Sequence, residues 1–238
     1  MHLVSAAILG IIQGLTEFLF FWKDWMHLAA ETIKGFLEKK PLGNPTRKLA
    51  WFLIIATIPA AVAGLLFEDS IDRYFRSPNL VTVFTLIFFG LLLFVADRAS
   101  RRNRTIDSFN LGDSVLIGIS QAVALIPGVS RSGITMTTAM LRNSDRTSAA
   151  RFSFLLSTPV IVGAGILETV RLVRDMQGTA VNASTVEWPI LLVGIVFSSI
   201  TGFLCIRYFL KYLQTHSFTP FVVYRIVLAL VILIYNFK

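Results

Sequence analysis

The stretch ALIPGVSRSGITMTTAM, residues 124–140, lies in apolar sequence yet carries Pro127-Gly128, two serines and Arg131 at its centre. A Pro-Gly pair interrupts a helix, because proline lacks the N–H and clashes with the preceding turn. The fold turns on whether residues 114–150 cross a membrane or bend back inside it. The sequence on either side decides this. Leu49–Phe67, Asn79–Ala96, Phe152–Leu167 and Trp188–Ile206 contain no charged side chain, Leu3–Trp22 contains only Glu17, and Ser217–Phe237 contains only Arg225. Runs of roughly 18–25 apolar residues match a hydrocarbon core of about 30 Å at about 1.5 Å per residue. So many of them in a chain of 238 residues predict an all-α, polytopic integral membrane protein.

The charges between the runs set the direction of each crossing. Lys23–Lys48 and Arg98–Arg104 are rich in Lys and Arg, whereas Glu68–Arg76 and Glu168–Glu187 are mixed. Positive loops stay on the cytoplasmic side, so 23–48 and 98–113 are read as cytoplasmic, and 68–78 and 168–187 as outside. The spans then alternate: 49–67 out, 79–96 back, 152–167 out, 188–206 back, 217–237 out. Residues 114–150 start and end on the same side, so this region is read as a re-entrant hairpin. The net charge of +8 belongs to these loops and not to a nucleic-acid surface. The tryptophans Trp22, Trp25, Trp51 and Trp188 fall at or near run ends, as an aromatic belt requires. No cleavable leader is expected, and Cys205 is read as a small packing residue. The segment MHLAAETIKGFLEKK, residues 26–40, has two open readings: an amphipathic helix lying in the interface, or a solvated connector.

An internal echo supports a two-part organisation. ILGIIQGLTEFL (8–19) and LIGISQAVALIP (116–127) align Gly10 and Gln13 with Gly118 and Gln121. Inverted repeats with interrupted helices meeting near mid-membrane are common in transporter-like folds. The chain is therefore read as a single membrane domain, 1–238, with a first repeat over 1–110 and a second over 111–238.

The polar residues of the hairpin form a coherent set. Non-helical backbone at membrane depth is tolerated only inside protein or along a wet cavity. A helix restarting near Ser132 offers first-turn N–H groups and a positive dipole end. Ser130 and Ser132 add hydroxyls, and Gly128 and Gly133 allow a ligand close to the backbone. Arg131 supplies a planar fork suited to phosphate. Thr135 falls about one turn beyond and is expected to face the same pocket. The alternative, in which Arg131 snorkels and the serines merely cap a helix, leaves so many polar groups beside one break unexplained. Glu17 is a second charge in apolar surroundings. Gln13 and Glu17 are spaced i, i+4 and share a helix face. They are read as oxygen ligands for a divalent cation, with Glu17 alternatively a general acid or base or a structural hydrogen-bonding group. A cation between Glu17 and a bound diphosphate would account for both clusters. Arg225 is read as paired to an internal carbonyl or acid, with a supporting role in the site also open. Ser153, Ser157 and Thr158 are read as helix-packing residues. His2, His27 and His216 have no partner at metal-ligand spacing.

QGLTEFL, PGVSRSGIT, RFSFLLSTPVIVGA and SFTPFVVYRI resemble the bacterial undecaprenyl-diphosphate phosphatase family, the bacitracin-resistance proteins, from about residue 5 to the C-terminus. The resemblance implies a multi-pass protein of the bacterial cytoplasmic membrane, built as an inverted repeat with re-entrant helix pairs. It implies removal of one phosphate from undecaprenyl diphosphate, which recycles the lipid carrier of wall polymers. It implies dependence on a divalent cation, Mg2+ or Ca2+. Gln13 and Glu17 would then be the family's (E/Q)xxxE pair, and Ser130, Arg131, Ser132 and Thr135 its phosphate-binding residues, with Glu17, Arg131 and Ser130 in catalytic roles. Partners are the polyprenyl diphosphate substrate and membrane lipids, and a homodimer is compatible with this reading. There is one departure. The family's first motif continues past EFL with a Pro, a Ser pair and a Gly-His, whereas Leu19 is followed at once by FFWKDW. About 35 residues typical of the family are missing there, including its histidine and a serine implicated in catalysis. Leu3–Trp22 is then long enough to span as one helix. Two other functions follow: a lipid-phosphate carrier or flippase, and a prenyl-diphosphate binder without turnover.

Overall fold

The computed structural model describes residues 16–75, 79–178 and 188–236. Residues 16–20 are helical, and Phe21 marks a bend. Then follow α1 (Trp22–Leu37), α2 (Pro45–Phe75), α3 (Asn79–Ala99), α4 (Leu111–Val123), α5 (Arg131–Leu141), α6 (Arg146–Gly178), α7 (Trp188–Leu213) and α8 (Thr219–Asn236). No strand occurs among the described residues. Among the described residues, five segments are long and apolar enough to cross a membrane: Pro45–Phe67, Leu80–Ala99, Arg146–Leu167, Val196–Leu213 and Thr219–Asn236. Four of them closely match the runs expected from charge spacing, and Val196–Leu213 overlaps the expected 188–206 but is displaced towards the C-terminus. The single helix expected over Leu3–Trp22 lies largely outside the described residues.

The surfaces of these helices are inverted relative to a soluble protein. On α3, Leu80, Phe84, Phe88, Leu91 and Val95 are exposed at intervals of three and four residues, while Val83, Leu86 and Leu93 are buried. On α8, Val223, Val227, Leu230 and Ile234 are exposed, while Val222, Arg225 and Ala229 are buried. A continuous exposed apolar face backed by a buried face that includes an arginine is stable only in lipid. Cys205 is exposed and not packed. The sequence reading expects it to be packed.

The chain divides into two compact units, one formed by 1–27 and 157–209, the other by 28–156 and 210–238. In the larger unit α4 packs on α2, α5 packs on α4 and α3, and α3 packs on α8. Gly118 makes the first of these possible. A Cβ there would stand 2.5 Å from the Ala56 carbonyl oxygen and 2.8 Å from its Cα, so the helix backbones themselves are in contact.

The hairpin closes at one end. α4 and α5 have 13 and 11 residues, about 20 and 16 Å at about 1.5 Å per residue, too short to span. Their outer ends meet at Asp113, which is fully buried and receives Arg104 Nη2 (2.5 Å) and Arg142 Nε (2.7 Å). Asp113 also completes a capping box with Asn110 at the start of α4, a pairing that satisfies two orphan helix donors. Asp97, also buried, receives Arg146 through Nε (2.6 Å) and Nη2 (3.0 Å) and the backbone N–H of Phe218. Two buried carboxylates therefore gather the connectors before α4, after α5 and before α8. Residues 111 and 142 lie on the same side, as charge sidedness requires.

The α1–α2 corner is a second polar clamp. Arg47, buried at the start of α2, binds Glu31 Oε2 (3.2 Å), Glu38 Oε2 (2.8 Å) and the Lys40 carbonyl (3.2 Å). Ile33, Phe36 and Leu37 stay exposed on α1, which favours interfacial seating over a solvated connector. The Asn44 amide, with Lys34 and Arg47 beside it, holds Glu31 at about 2, down from 4.5. The folded value is the lower one, so the stability Glu31 lends is full above about pH 4.5 and fades as pH falls towards 2. The gap in thermal midpoint between this chain and Glu31→Gln should therefore be widest near pH 7 and narrow at pH 3. A gap that stays constant would contradict the clamp.

Candidate functional site

The site begins where α4 stops. Three successive N–H groups fold back over the helix end, Ala124 to Gln121 O, Leu125 to Ala122 O and Ile126 to Val123 O, at 3.0–3.2 Å. Gly128 then takes φ +86°, a left-handed value that favours glycine. Ser130 takes φ 64° and ψ 109° as the N-cap of α5. A serine in this region carries strain of order 1–3 kcal/mol, and such residues cluster at functional sites.

The two carbonyls of the break are turned away from α5. Thr85 Oγ1 donates to the Pro127 carbonyl at 2.7 Å, and Arg225 Nη2 donates to the Gly128 carbonyl at 2.8 Å. Arg225 also reaches Leu86 O through Nε (3.2 Å) and Thr85 O through Nη2 (3.4 Å). The negative ends of the break thus point into α3 and α8. These two carbonyls therefore do not compete for the positive end of α5, where an anion is favoured.

Around that helix start, Ser130 is exposed, and Arg131, Ser132 and Gly133 are half-buried. Ser130 Oγ accepts from Gly133 N at 3.2 Å, so it caps the helix while its own proton stays available to a ligand. A Cβ on Gly133 would stand 3.1 Å from Ser130 Oγ. Glycine at 133 gives the cap its room. By position, the N–H groups of the first turn have no intrahelical acceptor. Gly128, Ser130, Arg131, Ser132 and Gly133 all lie at this helix start.

Thr135 is placed differently from that expectation. It is fully buried, its hydroxyl reaches Arg131 O (2.9 Å) and Ser132 O (3.2 Å), and it lies 2.6 Å from Ser153 Oγ. It braces the first turn of α5 against α6. Thr137 and Thr138 bond back to Gly133 O and Ile134 O, and are helix-packing residues. Gln121, the counterpart of Gln13 in the echo, is buried with neither amide atom bonded.

Glu17 belongs to the other unit. It is buried and accepts a hydrogen bond from Ser157 Oγ on α6. Beside it, Gly202 on α7 lies so close to Thr16 that a Cβ would collide with the threonine methyl, and Phe20 packs on Phe203 with centroids 5.1 Å apart. Gln13 lies outside the described residues. Among those described, no group of three His, Cys, Asp or Glu side chains is placed to hold a metal.

Sequence reasoning missed Thr85 and the partner roles of Ser153 and Ser157. The only available signal was the hydroxyl repeat at 153 and 157 on one helix, four residues apart. Arg225 is read from sequence as paired to an internal carbonyl or acid, and its partners are three carbonyls.

An all-α bundle of long apolar helices, with an interrupted helix whose restart is basic and hydroxyl-rich, defines a multi-pass membrane protein. The family described as Bacitracin resistance protein BacA matches residues 18–231. "Undecaprenyl-diphosphatase" of Desulforudis audaxviator is 36% identical over 272 residues, covering 98% of each chain. "Undecaprenyl-diphosphatase 2" of Stutzerimonas stutzeri is 39% identical over 273 residues, again 98% of each. "Undecaprenyl-diphosphatase 1" of Pseudoalteromonas translucida is 43% identical over 273 residues and 99% of each. The chain belongs to the bacitracin resistance protein BacA family. These alignments run over more positions than the 238 residues of the chain, so more than thirty are filled by the relative alone.

Proposed function

We propose that this chain acts on undecaprenyl diphosphate in the bacterial cytoplasmic membrane, removing the terminal phosphate to regenerate the monophosphate carrier of wall synthesis and thereby conferring bacitracin resistance. The observation that carries this is the break at Pro127-Gly128, whose carbonyls are withdrawn and whose helix start presents Ser130, Arg131 and Ser132. Arg131 would bind the terminal phosphate bidentately, and the first-turn N–H groups would take up charge that grows on its oxygens. Water attacks phosphorus, the anhydride P–O bond breaks, and the lipid monophosphate leaves with the electron pair. Thr135 and Ser153 hold Arg131's turn in place. Glu17, with Gln13, is the proposed protein ligand of a divalent cation.

The length difference from the relatives favours a second reading, in which the chain binds prenyl diphosphate without turnover. Phosphate release from a fifteen-carbon prenyl diphosphate in detergent, with Mg2+ or Ca2+, separates the two. Release by this chain supports the phosphatase. Release only after the family's Gly-His segment is restored after Leu19 supports the binder. Failure of both chains to release or retain the substrate sinks both readings.

A further inference from the structure

Arg225 is an anomaly of the fold. It sits near the middle of α8, only 8% exposed, in a helix apolar enough to span. An arginine at the bilayer centre costs on the order of 2.5–3.5 kcal/mol by insertion scales. The usual compensation is a carboxylate, and among the described residues Arg225 forms no ion pair with one. Its hydrogen bonds go to three neutral carbonyls, those of Thr85, Leu86 and Gly128, and all use Nε or Nη2. Carbonyls orient a guanidinium but leave its positive charge uncancelled.

The remaining end points at the site. Nη1 donates to no described residue. It lies 3.6 Å from the point where a Cβ on Gly133 would be, and Ser130 Oγ lies 3.1 Å from the same point. Nη1 and the strained cap serine therefore flank one spot at the first turn of α5. A guanidinium that is locked on one edge, bare on the other, and without a counter-charge is prepared for an anion. We propose that Arg225 is a second substrate-binding arginine, with Nη1 donating to the diphosphate held at the start of α5. This deepens the phosphatase and binder readings alike and rests on the anion site that they share. Arg131 and Arg225 would divide the work. The diphosphate carries more charge than the monophosphate product, so a second fixed cation favours substrate over product.

Equilibrium binding of fifteen-carbon prenyl diphosphate and prenyl monophosphate to the full chain in detergent tests this, with the affinity ratio as readout. General loosening of the fold weakens both ligands alike and leaves the ratio unchanged. Arg225→Gln should lower diphosphate affinity by about tenfold, as loss of a charge-assisted contact does, and shrink the ratio. Thr85→Val removes the neighbouring brace on Pro127 but no charge, and should leave the ratio as it is. If the glutamine variant does not fold, Arg225→Lys decides, because an ammonium cannot hold Gly128 O and an anion with the same fork; its ratio should fall by at least about threefold. An unchanged ratio in the Arg225 variants, or an equal fall in Thr85→Val, overturns the inference. If Arg131→Ala loses the ligand while Arg225 variants keep it, the anion site stands and this inference alone fails. If the unaltered chain retains no prenyl diphosphate, both fall.

Discussion

An alanine at Gly128 is expected to give the largest loss of stability of any single methyl added to the larger unit's glycines. Two costs add. Gly128 holds φ +86°, which costs an L-residue about 1–2 kcal/mol. The new Cβ would also stand 2.2 Å from Thr85 Oγ1 and 2.8 Å from the Thr82 carbonyl. Rotation of the hydroxyl away from the new Cβ breaks its bond to Pro127 O, and the Thr82 carbonyl is backbone. Overpacking of this kind costs typically about 1–3 kcal/mol more. Thermal unfolding in detergent should show Gly128→Ala well below the unaltered chain. Gly64→Ala is the control. It lies in α2 with nothing within 4 Å of the added carbon, so it should be neutral or slightly stabilising, as alanine is in a helix. Equal midpoints for the two variants would contradict the packing described at the break.

Arg131→Ala carries the largest expected effect on function. A hydrogen bond to a charged group is worth about 1.5–3 kcal/mol, and each 1.4 kcal/mol is about tenfold. A bidentate contact therefore predicts a fall in prenyl-diphosphate affinity of at least about tenfold. Where phosphate is released, the fall in rate should be larger, about a hundredfold, because charge grows on the terminal oxygens in the transition state. Arg131→Lys should lie between the two, since an ammonium keeps the charge but loses the fork. The release assay on the segment-restored chain, with and without Arg131→Ala, reads this effect directly.

The spans were legible because charges are costly in hydrocarbon, so their absence over some twenty residues has few other meanings. The hairpin was legible from loop charge alone, and Asp113 joining Arg142 to Arg104 is the structural counterpart of that reading. The motif from Gly128 to Gly133 was legible because a helix break, hydroxyls and an arginine lie within a few residues of one another. Long-range pairings were not legible. Thr85 meets Pro127 across 42 positions and Ser157 meets Glu17 across 140, and no local period encodes such distances. Thr135 shows a subtler limit. Spacing placed it one turn after Arg131, which is correct, but a threonine hydroxyl in a helix readily bonds to the carbonyl four residues back. It does so here, and its remaining capacity goes to Ser153. Arg225 was visible as a charge in an apolar run, while its direction needed coordinates.

The central claim is that the start of α5 is an anion site organised around Arg131. The most direct test is equilibrium binding of a labelled fifteen-carbon prenyl diphosphate to this chain, without restoration, and to Arg131→Ala under the same conditions. The site predicts saturable binding to the unaltered chain, displacement by excess inorganic diphosphate, and affinity at least about tenfold weaker in the variant. Equal affinity of the two proteins, or binding that inorganic diphosphate does not displace, would contradict it.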